Sequence, residues 1–237
     1  MNELNVMATP IGNMGDITGR SVEILKKADA VICESAEKTK KLLFSLGVKG
    51  KRLIIYPADN EGRANFVFKA AADKDLCVLV SSAGTPLVSD PGHLIIREAR
   101  LRGIPVFPLP GASSPSVILS VCPFKIKDYI FAGFLPRGFS AAAGALKKYF
   151  ALGIPVVAFA TKRNIERVAR VLKEYFSGTA VFAGREMTKK FEEYELFKDI
   201  ESFCEWASQK KPGEFTLVFK PAAAPGKEAC REKERIR

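Results

Sequence analysis

Histidine, tryptophan and long apolar runs are scarce in this chain of 237 residues. It contains one tryptophan and one histidine, His93. The single histidine excludes a metal site built from several histidines, and the sequence indicates no zinc or iron site. No apolar stretch approaches the ~20 residues of a membrane-spanning helix, and the first residues resemble no secretion signal. We therefore expect a cytoplasmic protein that binds neither a membrane nor a metal.

Paired cysteines and nucleotide-binding glycine motifs are also missing. The five cysteines are scattered, odd in number and without a Cys-x-x-Cys pair, which predicts reduced thiols packed as small hydrophobic groups. The chain has no Gly-x-Gly-x-x-Gly motif of dinucleotide-binding folds and no Gly-x-x-x-x-Gly-Lys-Ser/Thr loop. Neither a nicotinamide cofactor nor a nucleoside triphosphate is indicated.

Positive charge, in contrast, is abundant. The chain carries 37 basic and 26 acidic residues, a net charge of +11, and this excess suggests an anionic partner. Residues 137–175 hold eight basic side chains and two acidic ones. Two interpretations of this segment stay open, a solvated basic face and a nucleic-acid footprint.

The hydrophobic pattern predicts an α/β protein in two parts. Between Leu4 and Val121, apolar strand-like runs alternate with amphipathic helix-like runs, which is typical of a mainly parallel sheet covered by helices. After Cys122 the pattern favours a more mixed, partly antiparallel sheet, including a half-exposed strand over Lys190–Phe197. We expect domains at residues 1–122 and 123–220, followed by a mobile charged tail at 221–237.

Three loops after predicted strands, Thr9–Asn13, Ser81–Gly92 and Pro108–Pro115, are rich in glycine, proline and small residues. Small side chains leave backbone groups free to approach a ligand, and open α/β sheets bind small ligands at the carboxyl ends of their strands. We expect these loops to converge on one small molecule. Asp90 and Asp16 lie in this region as candidate proton acceptors, although Asp90 also suits a turn.

Six segments together resemble a known family. In chain order they are Thr9–Thr18, Ser81–Gly92, Pro108–Gly111, Phe131–Arg137, Arg185–Glu193 and Pro212–Val218. Their order and residues are similar to those of the ribosomal RNA small subunit methyltransferase I family, within the tetrapyrrole methylase superfamily. The resemblance covers nearly the whole chain.

The resemblance implies a two-domain tetrapyrrole-methylase-like fold, the class III methyltransferase fold. It implies a homodimer with S-adenosylmethionine in the cleft between the domains. The reaction would be methylation of the ribose 2′-hydroxyl of a cytidine in 16S rRNA, on the RNA or on the small ribosomal subunit. Asp90 or Asp16 would take the hydroxyl proton. The cofactor-binding residues would be Pro10, Gly12, Ser82, Ala83, Gly84, Thr85, Pro86, Ser113, Phe159, Arg185, Gly213 and Phe215. The RNA-binding residues would be Arg137, Lys189 and Lys190.

The chain departs from the family pattern at three acidic positions. Ser82 and Ser35 stand where the family usually has aspartate, and Ala160 stands where it usually has glutamate. Each change removes a possible hydrogen-bond anchor, so cofactor binding or the substrate could differ. Two alternatives therefore stay open: a relative that methylates a tetrapyrrole precursor, and a protein that binds cofactor or RNA without catalysis.

Overall fold

The computed structural model describes residues 1–209 and 212–222. The chain forms two compact units, Met1–Ser114 and a second unit that begins at Pro115. Among the described residues, no helix combines the length and the apolar character needed to cross a membrane. Of the predicted tail, 221–237, only Pro221 and Ala222 fall inside the described residues.

The first unit is built on a five-stranded parallel sheet with strand order β3-β2-β4-β1-β5. Strand β2 and residues 77–80 of β4 are apolar and buried, as expected for a parallel sheet that helices cover on each side. The predicted alternation of strands and helices is thereby confirmed. Its elements are β1 Glu3–Met7, α1 Gly19–Lys27, β2 Ala30–Cys33, α2 Ala36–Ser45, β3 Arg52–Ile55, α3 Glu61–Ala70, β4 Leu76–Val80, α4 His93–Leu101 and β5 Val106–Leu109.

The strand order decides which loops become neighbours. Strand β1 pairs with β4 on one side and with β5 on the other, and β2 pairs with β4. Because all these strands run parallel, the loops that follow them emerge at one edge of the sheet. The three glycine- and proline-rich loops predicted to bind a ligand follow β1, β4 and β5.

The second unit has a five-stranded mixed sheet with strand order β6-β7-β10-β8-β9. Strands β6 and β7 are parallel, and the other pairs are antiparallel, which confirms the predicted mixed character. Its elements are α5 Ser114–Val121, β6 Ile130–Phe134, α6 Phe139–Phe150, β7 Val156–Thr161, α7 Ile165–Tyr175, β8 Ala180–Arg185, β9 Glu193–Phe197, α8 Ile200–Ser208 and β10 Glu214–Lys220.

The boundary between the units lies at Ser114/Pro115, earlier than the boundary after residue 122 predicted from the sequence. Helix α5 belongs with the second unit because it packs closely on β8. A Cβ atom added to Gly184 would come within 2.6 Å of Ile118 Cδ1. Ile118 of α5 therefore packs against the second sheet, although α5 follows the last strand of the first sheet directly.

Candidate active site

The loops after β1 and β4 are joined by a short antiparallel bridge. The Thr9 amide donates to the Gly84 carbonyl at 2.9 Å, and the Gly84 amide donates to the Thr9 carbonyl at 3.0 Å. The Ser81 hydroxyl donates to the same Gly84 carbonyl at 2.8 Å. The predicted convergence of these two loops is present in the structure.

Gly84 also brings in the loop after β5. Its φ of +81° lies in the left-handed region that favours glycine. An added Cβ would lie 3.2 Å from Ile11 Cγ2 in the β1 loop and 3.7 Å from the Ala112 carbonyl oxygen in the loop after β5. Beside it, the Thr85 hydroxyl donates to the Ala112 carbonyl at 3.0 Å. Three loops therefore share one compact backbone cluster at the carboxyl edge of the sheet.

Most of the predicted cofactor residues of the first unit lie in this cluster. Gly12 and Ala83 are exposed, whereas Gly84 and Pro86 are buried. The other predicted members are partly exposed: Pro10, Ser82, Thr85 and Ser113. The structure brings these positions to one sheet edge, and their contact with a cofactor stays a prediction.

A carboxylate that sequence reasoning did not assign to the site, Glu34, lies at the same edge. It follows β2 directly, and its side chain accepts a hydrogen bond from the Ser82 hydroxyl. Ser82 thus contacts a carboxylate although it lacks the one usual in the family. The available signal was the position of Glu34 immediately after the buried strand Ala30–Cys33, at the carboxyl edge of the parallel sheet.

Asp90 is a titratable group whose pKa is shifted by its surroundings at this edge. Burial raises its pKa to about 6, and the negative charge of Glu34 acts in the same direction, while Lys38 opposes both. A carboxyl group with this pKa is ionised at neutral pH and still accepts a proton readily. Asp16, the other predicted proton acceptor, is exposed in a short 3-10 helix, Met14–Asp16.

The end of the β4 loop is held by Asp59, which sequence reasoning also missed. Its carboxylate accepts from the Gly92 amide at 3.0 Å and from the Tyr56 hydroxyl at 2.8 Å, and it pairs with His93 Nδ1 at 2.8 Å. Although burial raises the pKa of Asp59, the hydrogen bonds from Tyr56 and His93 outweigh it and lower the pKa. Within this loop Leu87 adopts a left-handed φ of +69°, so the loop keeps a strained turn.

The predicted residues of the second unit meet at one end of its sheet. Arg185 at the end of β8 donates through Nε to Glu193 Oε2 at 2.8 Å and through Nη1 to the Pro212 carbonyl at 2.8 Å. Gly213 has a φ of +143°, and an added Cβ would lie 2.8 Å from Glu186 Cγ. Their role in binding a cofactor stays a prediction.

Phe215 and Phe159 extend this region into the core. Phe215 is buried on β10 in register with Ala160 on β7. Phe159 packs edge-on against Phe131 with ring centroids 5.1 Å apart. Ala160 is itself only 1% exposed, so the glutamate usual in the family would place an unpaired charge in an apolar core here.

The three predicted RNA contacts differ in how free their charges are. Arg137 and Lys190 are exposed. Lys189 donates to Glu186 at 3.0 Å and to Glu214 at 2.9 Å. Although burial lowers the pKa of Lys189, these carboxylates outweigh it and raise the pKa. Lys189 therefore closes the turn before β9, and its two carboxylates disfavour the predicted phosphate contact.

Residues able to bind a metal are not clustered in the part of the chain that the structure describes. Across 1–209 and 212–222, no group of three or more histidine, cysteine, aspartate or glutamate side chains could hold an ion.

Comparison with known proteins agrees with this architecture. Residues 3–198 match the family model of tetrapyrrole (corrin/porphyrin) methylases. The chain is 41% identical over 216 residues to "Ribosomal RNA small subunit methyltransferase I" of Leptospira biflexa serovar Patoc, covering 91% of this chain and 90% of the relative. It is 35% identical over 220 residues to the protein of the same name from Borrelia garinii subsp. bavariensis, covering 91% and 97%.

Solved structures share the fold at low sequence identity. A diphthine synthase aligns over 93% of this chain and 90% of its own, with a TM-score of 0.68 and 16% identity. The methyltransferase CobJ aligns over 94% and 95%, with a TM-score of 0.69 and 15% identity. The resemblance found in the six sequence segments is confirmed: this chain belongs to the tetrapyrrole methylase family, in its ribosomal RNA small subunit methyltransferase I branch, and its cofactor is S-adenosylmethionine.

Proposed function

We propose that this chain methylates the ribose 2′-hydroxyl of a cytidine in 16S rRNA. The observation that carries the chemical step is Asp90, a half-buried carboxylate at the carboxyl edge of the parallel sheet with a pKa of about 6. The choice of substrate rests on the relatives, whose names specify ribosomal RNA of the small subunit, and on the net charge of +11.

The charges at this edge fit a cationic cofactor. Ser82 joins the Glu34 carboxylate to the β4 loop, and Glu34 and Asp90 are close enough for the charge of one to raise the pKa of the other. Lys38 opposes this effect only in part, because the pKa of Asp90 stays raised. The pair therefore leaves net negative charge at this edge, which favours binding of a positively charged group.

S-adenosylmethionine supplies an activated methyl group on a positively charged sulfonium. The residues of this chain must hold the acceptor hydroxyl in line and remove its proton. Alignment of reacting groups can supply about 7–11 kcal/mol of the barrier, and the Thr9–Gly84 bridge ties two of the loops at this edge together. The Asp90 carboxylate accepts the hydroxyl proton, and Glu34 raises its basicity through charge repulsion.

The residues assigned to RNA differ in strength of support. Arg137 and Lys190 are exposed and suit phosphate contacts that position the RNA without reading its sequence. Lys189 is already paired with two carboxylates, so we place it in the turn. A homodimer and a cytoplasmic location, both expected from the sequence, belong to this proposal. Light scattering of the purified protein tests the dimer.

The decisive experiment is incubation of the protein with deuterated-methyl cofactor and small ribosomal subunits from a strain that lacks the methylation. Mass spectrometry of the digested 16S rRNA should then show labelled 2′-O-methylcytidine. Label on a base, or on another nucleoside, would contradict the proposed acceptor. Cofactor binding by calorimetry without any transfer would favour the non-catalytic alternative.

A further inference from the structure

A groove runs between helices α6 and α7 of the second unit. One side is a single face of α6, formed by residues at positions i, i+3, i+4 and i+7: Ser140, Ala143, Gly144 and Lys147. The other side is the end of α7, with Tyr175 and Phe176. The groove has a volume of about 420 Å³, within the ~300–1,000 Å³ typical of small-ligand sites.

The aromatic wall of the groove is both anchored and exposed. The Tyr175 ring lies 6.0 Å from the Phe139 ring and 6.3 Å from the Phe176 ring, and Phe176 packs edge-on against Phe150 at 5.0 Å. Tyr175 is nevertheless 52% exposed. An aromatic ring fixed by neighbours and open to solvent is a suitable platform for a second flat ring.

The opposite wall leaves room for such a ring. Ala143 and Ser140 have short side chains, and a Cβ atom added to Gly144 would meet no other atom within 4 Å. This wall therefore allows a planar group to approach the helix backbone closely.

The surroundings of the groove carry positive charge. Lys147 lies in the groove lining, and helix α6 carries no acidic residue. On α7, Arg170 lies over the Phe139 ring at 5.6 Å from its centroid, whereas Lys173 lies 4.0 Å from the Glu201 carboxylate. The nearby acid Glu174 hydrogen-bonds to the Tyr175 side chain. Lys147 and Arg170 therefore give this part of the surface positive charge, and the groove suits a flat ligand that carries negative charge.

We propose that this groove binds one unstacked base of single-stranded RNA, which stacks on Tyr175 while Lys147 contacts an adjacent phosphate. Aromatic stacking combined with basic contacts is how proteins commonly hold single-stranded RNA. The inference rests on the proposed RNA substrate and extends it, because no lining residue of the groove belongs to the predicted cofactor or RNA contacts. Lys147 and Tyr175 both lie in the basic segment 137–175, for which the sequence suggested a nucleic-acid footprint.

Fluorescence anisotropy with a labelled single-stranded ten-nucleotide RNA tests the proposal on the full chain. Gly144→Leu should fill the groove and weaken binding ten-fold or more. Leucine favours helix over glycine, and space is free at this position, so the variant should fold. Ala141→Leu, on an exposed part of the same helix outside the groove lining, should bind as the original chain does.

The two walls are tested separately. Tyr175→Ala should weaken binding about five-fold or more, as loss of one stacked base does, while Tyr175→Phe should keep it. Lys147→Gln should lower the slope of log affinity against log salt by about 0.7, as expected for one phosphate contact on a single strand. Lys148→Gln, one residue along α6 and outside the groove lining, should leave that slope unchanged.

Methyl transfer to small ribosomal subunits, measured on the same variants, separates this inference from the proposed function. Unchanged RNA affinity in Gly144→Leu and Tyr175→Ala, with methyl transfer to small subunits intact, would overturn the groove alone. No RNA binding by the original chain would overturn both the groove and the RNA substrate. A concentration-dependent change of mass in Gly144→Leu by light scattering, at unchanged RNA affinity, would assign the groove to a second copy of the chain instead.

Discussion

Replacing Asp90 by asparagine should stabilise the first unit at alkaline pH and slow methyl transfer at the same time. The ionised carboxylate of Asp90 is disfavoured in the folded chain, since burial and the charge of Glu34 raise its pKa from 3.8 to about 6. The resulting cost to stability is small below the unfolded pKa, grows between about pH 4 and pH 6, and is complete above about pH 7. Asparagine carries no charge and removes this cost.

The gain in stability expected for Asp90→Asn follows from the shift in the pKa of Asp90. Two pKa units correspond to at most about 3 kcal/mol, at about 1.4 kcal/mol per unit. Asp90 is only half-buried, so solvent screening reduces this figure, and we expect about 1–1.5 kcal/mol at pH 8. For a domain of about 100 residues, 1 kcal/mol raises Tm by roughly 4–8 °C.

Thermal denaturation of the two chains at pH 4 and pH 8 measures the gain, and transfer of labelled methyl to small subunits measures activity. The rate of the original chain should rise with pH through about 6 and then level off. Asp90→Asn should lose at least about 100-fold, which is typical for loss of a general base. Asp16→Asn, at an exposed position, serves as the control and should shift stability by less than about 0.5 kcal/mol at either pH. An equal gain for Asp90→Asn at both pH values, or an unchanged rate, would refute the reasoning.

Three further substitutions test other features of the two units. Gly84→Ala forces a side chain into a φ of +81° and should lower the free energy of unfolding by about 1–2 kcal/mol. It should also weaken cofactor binding, measured by calorimetry. An unchanged affinity would contradict the role predicted for the loop after β4 in cofactor binding. Ser82→Asp would place a carboxylate against Glu34 and should lower the free energy of unfolding in denaturant by about 1 kcal/mol at pH 8 but not at pH 4. A gain in cofactor affinity would show that the aspartate usual in the family at this position matters more for binding than this repulsion. Gly213→Ala would place a Cβ 2.8 Å from a glutamate side chain at a φ of +143°, and it should destabilise the second unit by about 1–3 kcal/mol. Gly144→Ala lies in open space within a helix and should stabilise the unit by about 0.5–1 kcal/mol. Thermal denaturation measures both changes.

Local patterns were enough to predict the sheets and the positions of the loops that form the candidate site. The apolar runs at Ala30–Cys33 and Leu76–Val80 form the buried strands that their composition indicates, because parallel strands are covered on both faces. Gly84 stands where the backbone turns to a positive φ. The boundary at Ser114/Pro115 could not be predicted in this way, because the sequence of a short apolar helix such as α5 does not indicate which sheet it will cover.

The sequence by itself determined the α/β class, the family and the sheet edge at which Ser81–Gly92 lies. Only the tertiary structure decided which side chains meet there. Glu34 and Ser82 are separated by 48 positions, Asp59 and Gly92 by 33, and Lys189 and Glu214 by 25. These contacts depend on strand order and on how the loops pack, whereas hydrophobic periodicity reports only which face of a segment is buried. The charge near Asp90, and with it the basicity proposed for catalysis, is therefore a property of the fold.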